Sequence, residues 1–264
     1  MSAAALTIAG SDPSGGAGIQ ADLKTFAALR VYGCSAITSV IAQNSAGVRR
    51  VAPVEAAMVA AQIETIFAER RPDAIKTGAM ARADIVRAVA RTIRRLRLPA
   101  PVVDPVIVAS SGMRLIERGG EKAIRTQLIP LARIVTPNIP EARLLSGVAI
   151  DGVESMRAAA RTILAMGARA VVIKGGHLGR GAQAIDLLYD GRRWLELSGE
   201  RIAGGEDIHG TGCAFSAAIA AWLARGATLE DSVRRAKAYV TLAIRRRIRL
   251  GRRGRPMLDH FARR

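Results

Sequence analysis

The chain has 264 residues, half of them apolar but only 3% aromatic, so a sizeable core is available and must be built from Ala, Val, Ile and Leu. The net charge of +18 invites a nucleic-acid reading, but only five of the 40 basic residues are lysine, the one dense cluster is the tail Arg245–Arg255, and no nucleic-acid-binding signature accompanies it. The longest uncharged apolar run, Cys213–Ala224, is too short to span a bilayer, the N-terminus has no basic leader region, and two cysteines make no disulfide framework, which argues against a membrane or secreted protein and for a cytoplasmic one.

Short apolar runs alternate with helical periodicities from the start. A strand is predicted at Ala5–Ala9, a helix at Gly18–Arg30, a strand at Ala36–Gln43 and a helix at Val54–Arg70. The alternation continues with strand Ala74–Thr77, helix Arg82–Leu96, strand Val102–Asp104, helix Gly120–Ile129 and strand Ile134–Thr136. Helices Pro140–Leu145 and Met156–Met166 precede strand Ala170–Lys174. Ile185–Tyr189 and Trp194–Leu197 flank "DGRR" and read as a hairpin with Asp190-Gly191 at its turn. Helices Gly212–Arg225 and Leu229–Arg246 close the chain. No linker or repeat interrupts it, so residues 1–264 read as one α/β domain. Its central sheet is expected to be mostly parallel, covered by helices on both faces and extended by an antiparallel edge hairpin.

Ligands of such sheets sit beyond the carboxyl ends of the strands. There this chain places "GSD", "AQN", "KTG", "DPV", "TPN" and "KGGH". Turns alone would favour Gly, Asn, Ser and Asp, but they would not draw Lys76 and Lys174, two of only five lysines. Gly15, Gly16 and Gly18 lead into a helix whose first amides are free to meet a ligand. In that helix Asp22 falls within the apolar stripe of Ile19, Leu23, Phe26 and Leu29, where an acid must be paired, hydrogen-bonded or in a cleft.

Near the C-terminal end, "HGTGCAF" opens the long apolar helix. Gly210, Thr211, Gly212 and Cys213 can wrap an anion with free amides, the helix dipole adds positive charge, and Thr211 adds a hydroxyl. A thiol there is expected to have a depressed pKa and to accept a proton; the alternative is a small apolar residue starting a buried helix.

Together, "TIAGSDPSGGAGIQADLKTF", "AQN", "DPV" followed by "SG", "TPNIPEA", "VVIKGGHL" and "HGTGC" resemble the hydroxymethylpyrimidine and phosphomethylpyrimidine kinases of thiamine synthesis, members of the ribokinase-like family. The resemblance implies a ribokinase-like fold. It also implies ATP-dependent phosphorylation of 4-amino-5-hydroxymethyl-2-methylpyrimidine, then of its monophosphate to the diphosphate. On the matching positions it implies that Gln43 reads the aminopyrimidine through its amide, with Gly10 and Asp22 beside that pocket and Val106 as an apolar wall. Lys174 is implied near the phosphates, and Asn138 and Thr211 near ATP. Glu141 of "N-x-x-E", together with Asp104, is tied to magnesium, and Gly210, Thr211, Gly212 and Cys213 form the anion hole. Most ribokinase relatives carry an aspartate base where Cys213 stands. ATP and Mg2+ are the implied cofactors and a homodimer the implied assembly.

Three positions depart from the pattern. Ala79 replaces a methionine, Ile208 a threonine, and the tail reads "LGRRGRPMLDH". No fused C-terminal module of the kind some relatives carry is expected. Pyridoxal kinases share the fold and the anion hole, but Gln43 and the first motif favour the aminopyrimidine. A non-catalytic nucleic-acid binder using the arginine surface is the alternative from another class, with salt-sensitive binding and no ATP turnover.

Overall fold

The structure, a computed structural model, describes residues 2–109, 112–177, 183–205, 208–251 and 254–262. Ser111 and Leu178 of the motifs, and Arg252 and Arg253 of the basic tail, lie outside the described residues. In chain order the elements begin with β1 (Ala4–Gly10), α1 (Gly18–Ala28), β2 (Tyr32–Asn44), β3 (Gly47–Pro53), α2 (Ala56–Glu69) and β4 (Ala74–Thr77). Next come α3 (Ala83–Arg95), β5 (Val102–Val103), α4 (Gly120–Ala123), β6 (Ile134–Val135), α5 (Ile139–Ser146) and α6 (Val153–Leu164). The chain then forms β7 (Val171–Ile173), β8 (Gln183–Tyr189), β9 (Trp194–Glu200), α7 (Thr211–Ala224) and α8 (Leu229–Arg245).

The nine strands form one sheet in the order β3-β2-β1-β4-β5-β6-β7-β8-β9. The six inner strands are parallel, while β3 at one edge and β8 and β9 at the other run antiparallel to their neighbours. Helices cover both faces, so β1, β5, β6 and β7 carry apolar residues on both sides, as buried parallel strands do. In β1, Leu6 and Ile8 join the core under α2, α3, α5 and α6, and Ala5 joins the core under α1, α7 and α8. Along β7 the same alternation separates Val171 and Ile173 from Val172. Helix α7 is buried from Ala214 to Ala221, five of these residues being alanine, which lets it lie close to the sheet and to α8. This explains an apolar run shorter than a membrane span; among the described residues no helix is long and apolar enough to cross a membrane.

Two expectations need correction. Strand β3 was not expected: it is an edge strand whose Arg49 and Arg50 face solvent, and only Val48 and Val51 carry an apolar signal. The predicted helix Gly120–Ile129 is a single α-turn followed by a π-helical stretch, Ile124–Leu128, and a 3-10 turn, Ile129–Leu131. Pro130 lacks the amide that would continue an α-helix there. The hairpin stands as expected: Gly191 has φ 89° and Asp190 Oδ1 accepts from the amides of Arg192 and Arg193.

Candidate active site

The polar strand ends and the starts of α1 and α7 converge on two cavities at the carboxyl end of the sheet. The first, about 320 Å³, is lined by Gly10, Gly18, Gln43, Val106, Glu141 and Cys213 among others. The second, about 170 Å³, runs between Ile202, Phe215, Val240 and Ile244, with Asp186 and Lys237 in its wall. Four residues line both: Asn138, Lys174, Thr211 and Gly212. The head of α7 is therefore a wall shared by two adjoining binding spaces.

The first cavity is shaped by backbone irregularities. The β2–β3 register shifts between Ala42 and Gln43, the extra residue being Arg49 on β3, and Gln43 stands half-buried at the cavity rim on the same face as Ile41. Between β1 and β2 the register shifts at Ala9/Gly10, where a side chain on Gly10 would meet Ser39 Oγ at 2.6 Å. Ala79 and Ile208, two of the departures from the family pattern, line this cavity.

Lys174 follows β7 directly and reaches Asp104 Oδ1 at 3.3 Å. Its ammonium lies over Gly212: a Cβ there would be 3.0 Å from Nζ. Burial works against the Lys174 charge, but Asp104 and Glu141 more than offset it. Asp104, at the end of β5, also accepts from Thr136 Oγ1 at 3.3 Å and Ser216 Oγ at 3.1 Å. Asn138 and Glu141 form a capping box at the start of α5, each side chain accepting from the other's amide, at 2.8 and 2.9 Å. Burial pushes the Glu141 carboxyl up to about 7, with Lys174 opposing and Asp104 adding to the push. The Asp104 and Glu141 carboxyls line the first cavity beside Lys174, hard oxygen donors of the kind that fit a magnesium ion completed by phosphate oxygens.

Two expected site residues are placed differently. Asp22 does not line the cavity; it is fully buried and bonds Lys76 Nζ at 2.8 and 3.0 Å and Thr7 Oγ1 at 2.6 Å. Burial opposes the Lys76 charge, but Asp22, then Cys213 and Asp104, raise its pKa. The Cys213 thiol is not depressed. Burial pushes it up to about 12; Lys76 opposes, Asp104 and Asp22 add, and the amide of Gly18 donates to the sulfur. The helix dipole is outweighed, and Cys213 is a neutral thiol in this site.

Several residues escaped the sequence reading. Asp12 and His209 form a buried pair at 2.8 Å between the two glycine-rich loops. Lys237 bonds Asp186 at 2.7 Å in the second cavity; the scarcity of lysine, which pointed to Lys76 and Lys174, was signal enough to find it. The described part of the C-terminal tail backs the glycine loops, His209 N donating to Pro256 O at 2.9 Å.

A family model described as phosphomethylpyrimidine kinase matches residues 12–258. The hydroxymethylpyrimidine/phosphomethylpyrimidine kinase of Rhizobium meliloti is 48% identical over 266 residues, covering 100% of this chain and 98% of the relative. The thiamine biosynthesis bifunctional protein ThiED of Geobacter sulfurreducens is 47% identical over 94% of this chain, which spans 50% of that longer protein. Among solved structures, an ADP complex of Bacillus subtilis pyridoxal kinase superposes with a TM-score of 0.90 at 41% identity, covering 99% of this chain and 98% of that one.

Proposed function

The chain belongs to the phosphomethylpyrimidine kinase family, and from that premise we propose that it transfers the γ-phosphoryl group of ATP to 4-amino-5-hydroxymethyl-2-methylpyrimidine, and then to the monophosphate, in thiamine biosynthesis. The observation that carries this reading is the wall shared by the two cavities: donor and acceptor can approach the head of α7 from opposite sides. The aminopyrimidine occupies the first cavity, where the Gln43 amide offers both a donor and an acceptor to its edge. The nucleotide base lies in the apolar second cavity, with the phosphates at Asn138, Lys174 and Thr211. Asp104 and Glu141 would hold magnesium, whose charge would offset that of the phosphates.

The transfer needs little from a base. In a loose transition state the attacking hydroxyl gives up its proton late, so positioning and charge stabilisation carry most of the catalysis. A neutral Cys213 thiol then orients the hydroxyl as a hydrogen-bond partner, while Lys174 and the amides at Gly210–Cys213 balance charge on the transferring group. We read residues 1–264 as one domain of a cytoplasmic homodimer; Tyr32, Val40 and Met58, exposed apolar side chains on β2 and α2, are surface for a second copy to cover.

Pyridoxal is the second reading, favoured by the 0.90 TM-score to a pyridoxal kinase. Incubation with ATP, magnesium and either the hydroxymethylpyrimidine or pyridoxal, with products identified by mass, separates the two. Mono- and diphosphorylated pyrimidine are expected. Phosphorylation of pyridoxal alone would overturn the pyrimidine assignment.

A further inference from the structure

We propose that Asp12 and His209 form a clamp that holds the two glycine-rich loops together and thereby sets the geometry at Cys213. The clamp is a positioning device for phosphoryl transfer, and its effect on turnover rests on the function proposed above. The two loops come from opposite ends of the chain and meet backbone to backbone: a Cβ on Gly210 would lie 1.7 Å from the carbonyl oxygen of Gly16. Glycine loops hold such a contact poorly on their own, because they lose the most conformational freedom on ordering.

The clamp supplies the missing constraint on both sides. Asp12 is fully buried, and its Oδ1 accepts from Ser14 N and Oγ at 2.9 and 2.7 Å. Its Oδ2 accepts from Ala17 N at 2.8 Å and pairs with His209 Nε2 at 2.8 Å. Ala17 is the N-cap of α1, and Asp12 accepts from its amide, tying the start of α1 to the loop before it. Burial alone would raise the Asp12 carboxyl, but the bonds from His209 and Ser14 hold it below its ordinary value, so the carboxylate is charged where the positive ends of α1 and α7 converge. His209 is fixed in turn through its amide by Pro256 O, and Met257 packs against Gly16. Across the joint the Gly18 amide donates to the Cys213 sulfur. One loop thus presents a donor to the reactive side chain of the other, and Asp12–His209 is the side-chain bond that spans the gap.

The test compares His209→Ala, His209→Gln and Asp12→Asn. It measures kinase constants and the rate of iodoacetamide alkylation at Cys213, with Cys34 on β2 as an internal reference thiol. In His209→Ala and Asp12→Asn, kcat should fall about 10²-fold, the scale of a misplaced reacting group, with the KM for ATP within about threefold. Cys213 should alkylate about tenfold faster while Cys34 keeps its rate, because the loosened joint relieves burial of one sulfur only. Glutamine can place an amide donor where Nε2 stands, so His209→Gln should keep kcat within about threefold of wild type. Wild-type kcat and Cys213 reactivity in His209→Ala would overturn the proposal, as would a parallel rise at Cys34. Should His209→Ala not fold, unchanged Cys213 reactivity in folded Asp12→Asn would overturn it equally. Alkylation needs no substrate, so the clamp stands or falls separately from the choice of substrate.

Discussion

Cys213 heads a helix whose dipole would favour its thiolate, yet burial and the carboxylates of Asp104 and Asp22 carry the thiol up to about 12. Sequence exposes the first influence and hides the second, because the two acids reach the sulfur only through the fold. The consequence is measurable. Between pH 7 and pH 10 the thiolate fraction stays small and grows with hydroxide, so alkylation of Cys213 should quicken about tenfold per pH unit without levelling off. Mass spectrometry of the modified peptide reads this; a plateau near pH 7 would mean a pre-formed thiolate. Asp22 carries the same lesson. Helical periodicity put it on the inner face of α1, but its partner, Lys76, lies 54 positions away on β4. Asp22→Asn would leave a buried ammonium unpaired, and urea denaturation should show a loss of about 3–5 kcal/mol. Replacing both, with Asp22→Leu and Lys76→Met, should recover most of that loss. A raised KM for the pyrimidine at unchanged stability would instead make Asp22 a substrate contact.

Most elements were legible because buried parallel strands and the helices between them carry strong apolar periods. What escaped was an edge strand and its irregular pairing. The extra residue of the β2–β3 ladder, Arg49, sits on β3, whose arginine-rich edge gives almost no strand signal. The glutamine was found by its position at a strand end, and it reaches the cavity by plain strand alternation, two residues after Ile41 in the same wall. Gln43→Leu should lower kcat/KM for the pyrimidine about 10²-fold or more, since a pocket built to hydrogen-bond a group suffers when the partner is lost. The KM for ATP, bound across the shared wall, should change little. Equal weakening of both substrates would show that Gln43 acts on the fold of the rim, not on the aminopyrimidine.

At the scale of the whole molecule the chain's ends meet: the tail returns to α1, where His260 is buried against Thr25, and Tyr239 donates to its carbonyl at 2.9 Å. Burial, with Lys24 adding, lowers the His260 pKa from 6.5 to about 4. An unfolded chain therefore binds the extra proton first. The stability conferred by neutral His260 is complete above pH 6.5 and drains away as pH falls toward 4, by up to about 3 kcal/mol. His260→Gln should flatten that part of the denaturation profile; an identical slope would remove His260 from the acid response. The same closure leaves a single shared wall among the described residues, with Lys174 and the head of α7 facing both cavities. If one such wall serves both phosphorylations, the monophosphate must leave and rebind, or turn over in place, before its second transfer. Cys213→Ala and Lys174→Ala should then lower both activities together, by about 10²-fold or more. The pyrimidine and its monophosphate should compete in steady-state kinetics, and calorimetry should find one pyrimidine site per chain. A variant that loses the first phosphorylation and keeps the second at full rate would require a second centre, as would simultaneous binding of both pyrimidines.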